Sequence, residues 1–75
     1  MARDTYETAM FKEKLGARIK NLRIERNLSI DGVSVLSNSS KSYIWNVENG
    51  NTEPTISKLM KIASALGTDV PTLIS

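Results

Sequence analysis

The sequence predicts an all-α domain of five short helices. Three observations carry this: apolar residues recur at steps of three and four, short breaks rich in Asn, Ser and Gly separate the periodic stretches, and no segment alternates long enough to make a strand. At 75 residues the chain forms a single domain, 1–75, near the lower limit for folding on one apolar core without staples.

Phe11, Leu15, Ile19 and Leu22 step by 4, 4 and 3, which draws one stripe on a helix over about 8–26. Thr8 caps it, or Thr5 if it begins earlier, and Asn27 stops it. Residues 1–7 then read as a flexible tail. Ser29 is the expected N-cap of a second helix over 30–37, with Val33 and Leu36 facing inward. Gly32 costs that helix about 1 kcal/mol relative to Ala, so tertiary packing must sustain it. SNSS, 37–40, is a break in which Asn38 tolerates a left-handed turn and Ser40 caps the next helix. This third helix runs from Lys41 to Glu48 and ends at Asn49-Gly50. Thr55 caps a fourth, with Ile56, Leu59, Met60, Ala63 and Leu66 as its stripe and Gly67 as its stop. Asp69 caps a last turn, VPTLIS, with Pro71 in its first turn.

Composition narrows the chemistry. There is no Cys and no His, which removes disulfides, thiolate sites, the usual general base and the usual zinc ligand. No cofactor and no metal are expected. Asp, Glu, Lys, Ser and Tyr remain but gather into no catalytic constellation, so the chain does not read as an enzyme. No apolar run approaches the roughly 18 residues of a membrane span, and a cytoplasmic protein is the default. The formal charge of +2 is unevenly spread: residues 1–26 hold seven Lys/Arg against four acids, and 27–75 hold three against four. That distribution fits a solvated first helix and also permits nucleic-acid binding.

Two short helices separated by about three polar residues have the spacing of a helix-turn-helix, here helices 2 and 3. LGARIKNLRIERNLS, YIWNVENGNTEP and TISKLMKIASALGTDVPTLI add to it. With these stretches the chain resembles the lambda-repressor-like, Xre-type helix-turn-helix family from about Leu15 to Leu73. Arg23, Glu48-Asn49-Gly50, Pro54 and the run from Leu59 to Gly67 occupy the family's characteristic places. The sequence departs from the pattern at four others: Ile30 replaces a Gln, Ser34 an Ala, Asn38 a Gly and Ser39 an apolar residue.

The resemblance implies a compact five-helix DNA-binding domain whose third helix enters the major groove. Ile44 and Val47 face inward, so Lys41, Ser42, Trp45 and Asn46 are the expected base contacts. Lys41 suits guanine O6/N7 and Asn46 suits adenine. Ser29, Ser40, Tyr43 and Asn49 are the expected phosphate contacts, with capping as the structural alternative for Ser40 and Asn49. Trp45, the single Trp, has three places open to it: along the DNA, at a protein interface, or folded over a neighbouring loop. Arg23 and Glu48 are implied to form a buried structural ion pair.

Family members pair through their C-terminal helices. Val70, Leu73 and Ile74 are therefore the expected dimer patch, with closure of the monomer core as the alternative for Leu73. The function implied is a homodimeric transcriptional regulator on a palindromic double-stranded DNA site, of phage-repressor, restriction–modification-controller or plasmid-regulator type. A second possibility on the same fold is an antitoxin or adaptor that binds a protein partner. Exposed Trp45 and the absent Gln favour it; Lys41, Ser42 and Asn46 on one face favour DNA.

Overall fold

The computed structural model describes residues 5–75. It contains α1 (Tyr6–Glu25), α2 (Ile30–Leu36), α3 (Lys41–Glu48), α4 (Ile56–Ala65) and α5 (Val70–Ile74). Every helix begins the same way. Thr5, Ser29, Ser40, Thr55 and Asp69 are the N-caps, and each side chain accepts from the backbone N–H three residues on. Each such cap stabilises its helix by about 1 kcal/mol.

The cap of α1 is Thr5 and not Thr8, whose own N–H donates to Thr5 Oγ1 at 3.1 Å. Residues 5–7 are therefore cap and helix; the rest of the expected tail, 1–4, lies outside the described residues.

The first four helices also end alike. Asn27, Asn38, Gly50 and Gly67 are left-handed, with φ of 56°, 53°, 73° and 70°. The next N–H in each case reaches back five residues: Leu28 to Arg23, Ser39 to Ser34, Asn51 to Asn46 and Thr68 to Ala63, at 2.8 to 3.0 Å. This is the Schellman arrangement, which satisfies carbonyls a helix end would otherwise orphan. Asn at two of the four places costs little, because its short polar side chain tolerates this region.

The core consists of Leu15, Ile19, Val33, Ile44, Val47, Leu59, Ile62, Ala63, Leu66 and Leu73. Three inward assignments made from periodicity need correction. Leu36 is 60% exposed, and the buried position one turn after Val33 is Ser37, the C-cap of α2. Ser34 and Ser37 are buried because their hydroxyls donate to carbonyls of their own helix, Asp31 O at 2.8 Å and Val33 O at 2.7 Å. A satisfied serine fits a close helix crossing that a leucine would overfill. On α4, Ile56 and Met60 face solvent and Ile62 is buried in their stead. That helix is apolar on two faces, and only the one bearing Leu59, Ile62, Ala63 and Leu66 meets the core. Phe11 opens the α1 stripe but stays 38% exposed. α1 packs on α3 and α5, and α2 packs on α3 and α4. No helix among the described residues is long and apolar enough to cross a membrane.

Candidate nucleic-acid interface

α3 is an eight-residue helix with a sharp division of faces. Ile44, Val47 and Glu48 are buried, while Lys41, Ser42 and Trp45 face solvent. Two contacts with α1 fix the C-terminal end of α3. The first is Gly16, buried in the middle of α1. A Cβ there would fall 2.6 Å from the Glu48 carbonyl oxygen and closer still to that of Val47. Only a glycine lets the two backbones meet this closely.

The second contact is the pair of Arg23 and Glu48. Arg23 Nε donates to Glu48 Oε2 at 2.6 Å and Nη2 donates to Oε1 at 3.1 Å. Nη1 donates to the Leu28 carbonyl at 3.0 Å, so one guanidinium joins α1, the α1–α2 loop and α3. The side chains are 13% and 2% exposed. Burying both charges offsets much of their attraction, so the pair gives geometry more than stability, and loss of one partner strands the other.

At the N-terminal end Ser40 caps α3, accepting from Tyr43 N at 3.0 Å. Ser29 does the same for α2, accepting from Gly32 N at 2.9 Å. Both hydroxyls therefore cap, and both remain on exposed or half-exposed turns at helix starts, where N–H groups favour an anion. Lys41 Nζ lies 3.2 Å from Asp31 Oδ1 of α2, an ion pair largely in solvent and therefore weak. Tyr43 is half-buried, and burial pushes its phenol pKa up; like any phenol it is a donor at neutral pH.

Trp45 is 51% exposed beside Lys41 and Ser42, not turned into the core. Asn46 Oδ1 accepts from Asn51 Nδ2 at 3.3 Å. Asn49 Nδ2 donates to the Trp45 carbonyl at 2.8 Å, so this amide closes the end of α3.

The expected dimer patch is not brought together. Leu73 is only 1% exposed and closes the monomer core, so it is unavailable to a partner. Ile74 lies with Phe11 and Arg18 along the α1–α5 cleft. Val70 lies on the other side of α5, in an apolar groove with Ile56, Met60, Ala63 and Pro71. The spacing i, i+3, i+4 puts the three on one side of α5; packing into the core takes Leu73 out of reach, while Val70 lines the groove against α4 and Ile74 the cleft against α1.

Four residues with a part in this region were not singled out from sequence. Gly16 adjoins Leu15 of the apolar stripe, and a glycine beside a buried stripe is the available signal of close approach. Lys58 stands in the first turn of α4, where a cation opposes the helix dipole. Asp31 and Asn51 carry no such signal, since their roles come from tertiary proximity to Lys41 and Asn46.

A short helix held rigidly at its C-terminal end, preceded by a tight turn and a second short helix, defines a helix-turn-helix domain. A family model for helix-turn-helix domains (HTH_3) matches residues 19–73. The chain belongs to this helix-turn-helix family. It is 35% identical over 60 residues to the immunity repressor protein of Bacillus phage phi105, covering 80% of this chain and 42% of that protein. It is 34% identical over 64 residues to the control protein C.SmaI of Serratia marcescens, covering 85% of this chain and 76% of that one. Its fold is similar to the restriction–modification controller protein C.AhdI of Aeromonas hydrophila, with a TM-score of 0.80 and 31% identity over 81% of this chain and 92% of that chain. The chain thus spans less than half the phage repressor's length.

Proposed function

We propose that this chain is a sequence-specific, double-stranded DNA-binding transcriptional regulator that acts as a homodimer with α3 in the major groove. The observation that carries this is the outward face of α3. Lys41, Ser42 and Trp45 are exposed and Asn46 half-exposed, outside the buried side of Ile44 and Val47, on a helix whose attitude is fixed by Gly16 and the Arg23–Glu48 pair. Kinship with a phage immunity repressor, a control protein and a restriction–modification controller protein supports regulation as the purpose of such binding. Ser29, Ser40, Tyr43 and Asn49 flank this face and are assigned to phosphates. One module touches few base pairs, so two copies are needed to read a site of useful length. The groove formed by Ile56, Met60 and Val70 is assigned as their contact surface: it is apolar and open, and no α3 residue lines it.

Selection of bound duplexes from a randomised pool at about 150 mM salt tests this reading. A two-fold-symmetric site is expected, and Lys41→Ala should lose preference at one position in each half-site, at a cost of about 1–3 kcal/mol there. Binding that is only salt-sensitive and sequence-blind would refute the proposal. Trp45, half-exposed on the same face, would then be assigned to a protein partner of antitoxin or adaptor type.

A further inference from the structure

The ammonium of Lys58 is placed against the electrostatics of its own helix. It stands at the third position of α4, where the helix dipole presents positive charge. Its compensation comes from outside α4. Nζ donates to the Asn38 carbonyl at 3.3 Å and to Ser39 Oγ at 3.1 Å, both in the turn of the helix-turn-helix. The same Nζ lies 5.3 Å from the centroid of the Tyr43 ring, within the range of a cation–π contact. One side chain from α4 therefore ties the turn between α2 and α3 to an aromatic ring on α3. Lys58 and Ser39 are both partly buried, so the bond between them is screened less than a surface pair, while that to the Asn38 carbonyl is exposed.

We propose that Lys58 is a positioning residue for DNA: it fixes the turn and the ring of Tyr43 so that the phenol meets a backbone phosphate. The proposal rests on the DNA-binding function argued above and on the phosphate role assigned to Tyr43. Lys58 acts through Tyr43 and the turn. Two of its three N–H groups are already directed to Asn38 and Ser39. A flexible phenol would lose ordering entropy on meeting the phosphate; one already held by the ammonium loses less. The Asn38–Ser39 turn is thereby stiffened by a polar strut from α4, at the place where an apolar residue would otherwise pack.

The test is a double-mutant cycle on the selected operator duplex at about 150 mM salt. Lys58→Met removes the charge and the donors but keeps the length of the stem. Lys61→Met removes an equal charge from an exposed lysine one turn along the same helix, and so measures the long-range loss alone. Lys58→Met should weaken binding about tenfold and Lys61→Met by less than about threefold, a difference in keeping with one charged hydrogen bond misplaced. In a Tyr43→Phe background Lys58→Met should cost no more than Lys61→Met. Ser39→Ala, which removes one partner of Nζ and leaves α4 intact, should weaken binding in the same direction by a smaller factor. It provides the second variant if Lys58→Met unfolds. Equal effects of Lys58→Met and Lys61→Met, or a Lys58→Met loss unchanged by Tyr43→Phe, would overturn the role of Lys58 while leaving DNA binding intact. If the wild-type chain enriches no duplex, DNA binding and the role of Lys58 fall together.

Discussion

Gly16→Ala is the sharpest single perturbation of how the reading helix is held. The added methyl would stand 2.6 Å from the Glu48 carbonyl oxygen and nearer still to that of Val47. A carbon and a carbonyl oxygen normally approach to about 3.3–3.6 Å, so α1 and α3 must part by about 1 Å. Both obstacles are backbone atoms of α3, so no side chain can swing aside. Overpacking of this kind costs about 1–3 kcal/mol, and the charged bonds between Arg23 and Glu48 span the same interface. Helix propensity returns about 1 kcal/mol for replacing a glycine. The two terms leave a net destabilisation of about 0–2 kcal/mol; disturbance of the Arg23–Glu48 bonds moves it to the upper end, a fall in Tm of roughly 10 °C for a domain of this size. Gly32→Ala is the matched control, since its nearest neighbours are 3.4 and 3.7 Å away. It should stabilise by about 0.5–1 kcal/mol. Thermal and urea unfolding of both variants measures the contrast. If Gly16→Ala melts at or above the wild-type temperature, the close crossing of α1 and α3 is not what places the reading helix.

Three further outcomes are expected. Glu48→Leu and Arg23→Met should each destabilise by about 3–5 kcal/mol, whereas the double variant should recover most of that loss; additive losses in chemical unfolding would contradict a buried, mutually dependent pair. Asp31→Asn frees Lys41 from its ion partner and removes an anion beside the reading helix, so DNA affinity should rise about two- to fivefold, and more at low salt; unchanged affinity in a titration would show that Asp31 does not modulate Lys41. The third concerns pH. Hydrogen bonds from Thr72 hold the Asp69 carboxyl below its ordinary 3.8. A carboxyl depressed in the folded state adds stability that is present above its unfolded pKa and is lost as pH falls through the folded value. Asp69→Asn, which can still cap α5, should therefore flatten the stability profile below about pH 4; a profile identical to wild type would remove Asp69 from the acid response.

Much of the fold was legible because this chain marks its helix ends chemically. Ser29, Ser40, Thr55 and Asp69 are caps, and Asn27, Asn38, Gly50 and Gly67 are stops, all by local chemistry that needs no tertiary context. Inward faces were less legible where a helix is apolar on two sides. Periodicity alone does not choose Ile62 over Met60, nor predict that Ser37 displaces Leu36; the neighbouring helices decide both. The outward side of α3 was legible because Ile44 and Val47 define it by elimination. The ties to Lys58, Asn51 and Asp31 were not, since each joins residues from separate elements. The expected dimer patch is divided for a related reason: the core takes Leu73, while Val70 lines a groove against α4 and Ile74 the cleft against α1.

The anchoring of α3 explains how so small a domain can present a precise surface. An isolated eight-residue helix is marginal in water, so its order must come from what it touches. Its C-terminal end is pinned by backbone contact at Gly16, by the fork of Arg23, and by Asn49 folded onto the Trp45 carbonyl. Its N-terminal end is capped by Ser40, with Tyr43 against the ammonium of Lys58. Lys41, Ser42, Trp45 and Asn46 take no part in the buried core, although Asn46 accepts from Asn51 and Lys41 pairs with Asp31. Rigidity at both ends reduces the entropy lost when the face meets a partner. On the proposed reading, these four side chains differ in chemistry at little cost to the fold, and specificity would change by substitution on one face of one helix.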